Sequence, residues 1–115
     1  MTTKNDVENF LRNFKQKSKI YQIFYRDERG KNQQTLFELD IPPNYRDTIL
    51  HSLVPEDFSE GPLPDTLHHI SDMWVFGKIV KNREVYIKIS MGLPANRTIC
   101  ISFHIAEHPI TYKFR

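Results

Sequence analysis

Three side chains near the C-terminus are of the types that cleave a phosphodiester backbone: the Tyr86 phenol, the Lys88 ammonium and the His104 imidazole. Cutting RNA without a cofactor takes three actions. A proton leaves a 2′-hydroxyl, a proton reaches the departing 5′-oxygen, and extra negative charge on phosphorus is stabilised. Histidine titrates near neutral pH, lysine brings fixed positive charge, and tyrosine orients a hydroxyl. In this reading Tyr86, His104 and Lys88 are the catalytic set, and Lys78, Arg83 and His108 contact the RNA. The same residues also fit a structural role, with Tyr86 packed on a sheet, Lys88 snorkelling and His104 in one surface hydrogen bond.

Two alternating runs must position these groups. In Glu84–Ser90, Val85, Ile87 and Ile89 share one face, and Tyr86, Lys88 and Ser90 the other. In Thr98–His108, Ile99, Ile101, Phe103 and Ile105 share a face, and Cys100, Ser102 and His104 lie opposite. Period-2 alternation predicts two half-buried strands. The connection Met91–Arg97 carries Gly92, Pro94 and Asn96, which suit a hairpin loop. With both apolar faces in one core, a consistent register sets Tyr86 opposite His104 and Lys88 opposite Ser102. Their Cβ atoms are then roughly 5 Å apart, on a surface that no helix covers.

Upstream, Val7, Phe10, Leu11 and Phe14 recur at helical spacing, predicting an amphipathic helix over Asp6–Lys17 capped by Asn5 or Asp6. Ile20–Arg26 is β-branched and aromatic and reads as a strand, followed by a turn over Asp27–Asn32. Gln33–Asp40 fits helix or strand. Helix is preferred there, with Asn32 as its cap. Pro42-Pro43 opens a further helix to about Leu53, capped by Asn44, with Tyr45, Ile49, Leu50 and Leu53 inward. Val54–Ser71 is proline-rich and acidic and reads as a long irregular connection, the kind of loop that is often functional. Met73–Val80 is a strand leading into the hairpin. The order predicts one α+β domain over residues 1–115: an antiparallel sheet with a C-terminal three-stranded meander and N-terminal helices on one face.

Charge is segregated along the chain. Residues 1–37 carry 8 basic and 4 acidic side chains, 38–73 carry 1 and 8, and 74–115 carry 7 and 2. A basic C-terminal sheet favours a polyanion such as RNA, although edge lysines also guard strands against aggregation. No apolar run is long enough for a membrane span, and the first residues show no signal-peptide region. The one cysteine, Cys100, excludes an internal disulfide, reads as a half-buried strand residue, and fits a cytoplasmic protein. His104-Ile105-Ala106-Glu107-His108 formally matches H-x-x-E-H. That zinc motif needs a helix and a further ligand, whereas here His104 ends a strand and Pro109 follows at once. His68-His69 reads as solvated loop, and Trp74 and Phe76 as core unless they share the Tyr86 face. No cofactor is expected.

The pieces Leu53, Asp57-Phe58, Trp74, Val85-Tyr86-Ile87-Lys88-Ile89 and Ile101-Ser102-Phe103 resemble, in order and spacing, the MqsR family of toxin–antitoxin toxins. Thr35–Ile49 is similar to the central helical region of that family, so the likeness spans about residues 35–108. The resemblance implies a RelE-like fold, a metal-independent endoribonuclease acting on single-stranded mRNA, and a cognate antitoxin encoded nearby. The family's catalytic tyrosine falls on Tyr86. Its lysine after Ser-Phe is His104 here, a residue type that related RelE-like toxins use in catalysis. Val75 replaces its glutamine, and Ser59-Glu60-Gly61 stands where it has a lysine. The alternative is a non-catalytic RNA- or protein-binding module of the same shape.

Overall fold

Thr3 starts the first helix. In a computed structural model that describes residues 1–28 and 30–115, its hydroxyl accepts from the Asp6 N–H while the Asp6 carboxylate accepts from the Thr3 N–H. This capping box opens α1 (Lys4–Tyr21), which outruns the predicted Asp6–Lys17 at both ends. Lys17 donates to the Met91 and Leu93 carbonyls, which ties down the C-terminal half of the helix. Helix extension is easy once a helix is nucleated, so Ile20 and Tyr21 continue it and only Ile23–Tyr25 forms strand β1. Val7, Phe10, Leu11 and Phe14 are buried as the spacing predicts.

The ambiguous stretch is helical: α2 spans Lys31–Leu39, with Gly30 rather than Asn32 at its N-cap. Asn32 lies inside the first turn, where its buried amide donates to the Arg26 carbonyl and accepts from the Phe103 N–H, each at 2.9 Å. The Thr35 hydroxyl accepts from the Ile105 N–H at 3.0 Å. In α3 (Tyr45–His51), Ile49 and Leu50 point inward, as does Leu53 beyond it. Tyr45, predicted inward, is exposed, and no Asn44 side-chain bond caps the helix. Arg46 takes the inward place because Asp27 meets it with two hydrogen bonds, at 2.8 and 3.0 Å, and the Tyr25 ring lies 3.9 Å below its guanidinium.

The predicted irregular connection is partly regular. It holds a 3₁₀ turn, Pro55–Asp57, and a strand β2, Phe58–Leu63. Prolines concealed that strand, and Pro62 is tolerated because β2 is at the sheet edge. β3 (Met73–Val80), β4 (Arg83–Ser90) and β5 (Thr98–Ile105) follow as predicted, giving the order β1-β5-β4-β3-β2. β2 to β5 are antiparallel neighbours, but β1 joins β5 in parallel, so the sheet is mixed. A strand of three residues leaves no local mark of its direction.

The helices cover one face, around a core that includes Phe14, Leu50, Phe58, Phe76, Ile87 and Phe103. Trp74 and Phe76 belong to this face, and Trp74 stacks on Phe10 with ring centroids 4.4 Å apart. One expectation for β5 fails at Ile101. A register shift there sets Cys100 against Ile89, in the core, and Ile99 against Ser90, on the open face. A β-bulge of this kind carries one extra residue and reverses the alternation beyond it.

Candidate active site

The open face of the hairpin is built as its alternation predicts. Tyr86 pairs with His104 and Lys88 with Ser102. The Tyr86 and His104 rings stack with centroids 5.2 Å apart and planes 17° apart. The Lys88 ammonium is 5.9 Å from the Tyr86 ring centroid and makes no salt bridge among the described residues. His104 Nδ1 is 3.1 Å from the Ile105 carbonyl oxygen. A carbonyl only accepts, so this bond takes a proton on Nδ1, and in the neutral ring Nε2 then carries the lone pair of a base. Burial, reinforced by the charge of Glu60, raises the Tyr86 pKa, so the side chain is a neutral phenol that donates.

No helix covers this face, but the end of the chain crosses it. Ala106 N–H donates to the Glu84 carbonyl at 2.9 Å, and residues 106–115 return over the sheet as a strap. The Glu84 carboxylate accepts from the Ile110 N–H at 3.1 Å and the Tyr112 hydroxyl at 2.7 Å. Burial and this carboxylate push the Tyr112 pKa up to about 12. Gly77, opposite Tyr86, makes the crossing possible. A Cβ there would collide with the Tyr112 hydroxyl and stand 2.8 Å from Ile110 Cδ1. At the far edge Lys113 N–H donates to the Phe58 carbonyl at 3.2 Å, and Phe114 stacks on Phe58.

Sheet and strap enclose a cavity of about 570 Å³. Tyr86, Lys88, Ser102 and His104 line it from the sheet, Ser59 and Glu60 from β2, and Glu107 to Thr111 from the strap. Four of the six residues singled out from sequence, Tyr86, Lys88, His104 and His108, therefore meet at one place. Lys78 and Arg83 do not. Lys78 pairs with Val85 on the helix-covered face and donates to Asp57 at 2.9 Å; Arg83, two residues before Val85, points to that same side. Lys78 is two positions after Phe76 on β3, and the pleat sends both to the core side.

Glu60, Glu107 and the strap were missed. Glu60 lay in a segment whose prolines concealed its strand, and the return of the strap leaves no local pattern. Glu107 is held by Lys31 at 2.7 Å. Val75, buried at 1% exposure, pairs with Lys88 and Glu60 and so lies beneath this cavity.

The remaining candidates are placed elsewhere. His104 is on β5, while Glu107 and His108 follow in a turn, so the helix that H-x-x-E-H requires is not there. Among the described residues, no group of three or more His, Cys, Asp or Glu side chains is positioned to hold a metal ion. His68 and His69 are exposed, in a turn closed by the Asp65 carboxylate. Cys100, predicted half-buried, is fully buried, and burial pushes its thiol pKa far up. Among the described residues no helix is long and apolar enough to cross a membrane. Compared with protein-family models, with curated proteins and with solved structures, the chain matches none.

Proposed function

We propose that this chain is a metal-independent endoribonuclease of RelE-like, MqsR-type fold, acting on single-stranded RNA as the toxin of a toxin–antitoxin pair. The observation that carries the reading is the convergence of Tyr86, Lys88, His104 and His108 on one cavity. The Tyr86 phenol holds the 2′-hydroxyl, and His104 Nε2 takes its proton. The 2′-oxygen then bonds to phosphorus, the bond to the 5′-oxygen breaks, and that oxygen leaves with a proton from His108 or solvent. Lys88 offsets the added negative charge on phosphorus. The products are a 2′,3′-cyclic phosphate and a free 5′-hydroxyl.

Purified protein is expected to cut single-stranded RNA in EDTA and leave cyclic phosphate ends, read by end-labelling and mass spectrometry. Cleavage only with added Zn²⁺ or Mg²⁺ would overturn the mechanism. Glu60 and Glu107 on the cavity wall favour a second reading, because carboxylates repel phosphate. That reading is a non-catalytic binding module for RNA or protein, and RNA binding or protein capture without cleavage would select it.

A further inference from the structure

The cavity does not end at His104. A second one, of about 320 Å³, is lined by Lys31, Asn32, Ile101, Ser102 and His104, so it shares two residues with the first. A third, of about 160 Å³, lies where β1 meets the start of β5, and Phe24, Arg26, Arg97 and Ile99 line it. All three follow β5. From His104 to Ile99 is about 15 Å along the strand.

Phe24 faces this groove because it alternates with Ile23 and Tyr25, which pack against the core. Ile99 is beside it only because the bulge at Ile101 turned it outward. Phe24 is 38% exposed, and the Arg97 guanidinium lies over its ring, 4.7 Å from the centroid. Neither Arg97 nor Arg26 forms a salt bridge among the described residues. A guanidinium laid over an aromatic ring, without a carboxylate partner, is a flat cationic platform of the kind on which a base stacks beside its phosphate.

We infer that Phe24, Arg97 and Arg26 form a second nucleotide subsite. A single-stranded RNA would lie along β5, with one base stacked on the Arg97–Phe24 platform and the scissile phosphate at Lys88 and His104. The inference rests on the ribonuclease reading and adds to it that the enzyme takes an extended strand rather than an isolated dinucleotide. The competing view, in which Arg97 merely shields Phe24 from water, gives no dependence on strand length.

The test is fluorescence anisotropy with 2′-O-methyl oligonucleotides, which lack the nucleophile and stay intact. Wild-type protein should bind a decamer more tightly than a dinucleotide. Phe24→Ala should reduce that advantage about tenfold, the usual scale for one lost base stack. Arg26→Gln should weaken decamer binding and make its salt dependence shallower by about 0.7 in the log–log slope. Thermal melting confirms that each variant is folded, and Arg97→Gln serves as an independent variant should Phe24→Ala unfold. If wild type binds and cuts RNA but every folded variant keeps the full length advantage, the subsite is overturned and the ribonuclease reading stands. If wild type neither binds nor cuts RNA, both fall.

Discussion

At the scale of single residues, the proposed mechanism divides the work between the stacked pair Tyr86 and His104 by their chemistry. One is a neutral phenol and the other a ring whose Nδ1 is committed to the Ile105 carbonyl. His104→Ala is therefore expected to lower cleavage 10²-fold or more, on the usual scale of general acid–base groups. Its stability cost is limited to the lost ring contact, about 1 kcal/mol. Tyr86→Phe keeps the stack and loses only the donor, so its loss of rate should be smaller. Single-turnover kinetics set beside denaturant melts separate the two effects. An alanine variant that unfolds without a separate loss of rate would make the imidazole structural.

At the scale of elements, the strap makes the cavity and Gly77 admits the strap. Gly77→Ala forces Tyr112 and Ile110 to move, and overpacking of this kind costs about 1–3 kcal/mol. Limited proteolysis should then cut after residue 105 sooner than in wild type; unchanged protection would place the strap elsewhere in solution. Tyr112 gives the same element a pH signature. Its folded pKa is raised from 10.0 to about 12, so the protonated phenol contributes stability in full below pH 10. That contribution disappears as pH rises through 12. The difference in melting temperature between wild type and Tyr112→Phe should close over that range. On the other side of the molecule, Arg46 is 3% exposed and depends on Asp27, whose carboxyl the guanidinium holds below its usual range. Asp27→Asn strands that buried charge and should cost about 3 kcal/mol. An unchanged urea midpoint would show that water replaces the carboxylate.

At the scale of the whole molecule, the proposed ribonuclease calls for a polyanionic substrate and a restraining partner. The last 42 residues carry 7 basic and 2 acidic side chains, of which Lys88 and Glu107 line the cavity while Lys78 and Arg83 point to the other side of the sheet. If the toxin reading holds, producing the chain alone should arrest growth, and co-producing the neighbouring gene product should restore it. That partner would bind across the Tyr86–His104 face or add a strand at a sheet edge. Recovery of the tagged chain alone, with normal growth on overproduction, would leave only the binding-module reading.

Much of this site was legible in the chain itself. Strict alternation around Tyr86 and His104 allowed only a few registers that bury both apolar faces, and one of these puts the two rings opposite each other. The spacing of Val7, Phe10, Leu11 and Phe14 likewise named a buried helical face. Period carries such information because it is local. What only the tertiary structure decided is non-local or breaks a period. The bulge at Ile101 exchanged Cys100 for Ile99 between faces, and β2 formed despite Pro62 because an edge strand needs fewer donors. Asn32 and Thr35 acted as hydrogen-bonding neighbours of β5 from a helix, where the pattern assigned Asn32 a cap. Lys78 met Asp57, 21 residues away, and the strap found Glu84 and Phe58. The Asn32, Thr35, Lys78 and strap contacts each pair a polar group with a partner distant in sequence, and no run of neighbouring residues records where that partner will be.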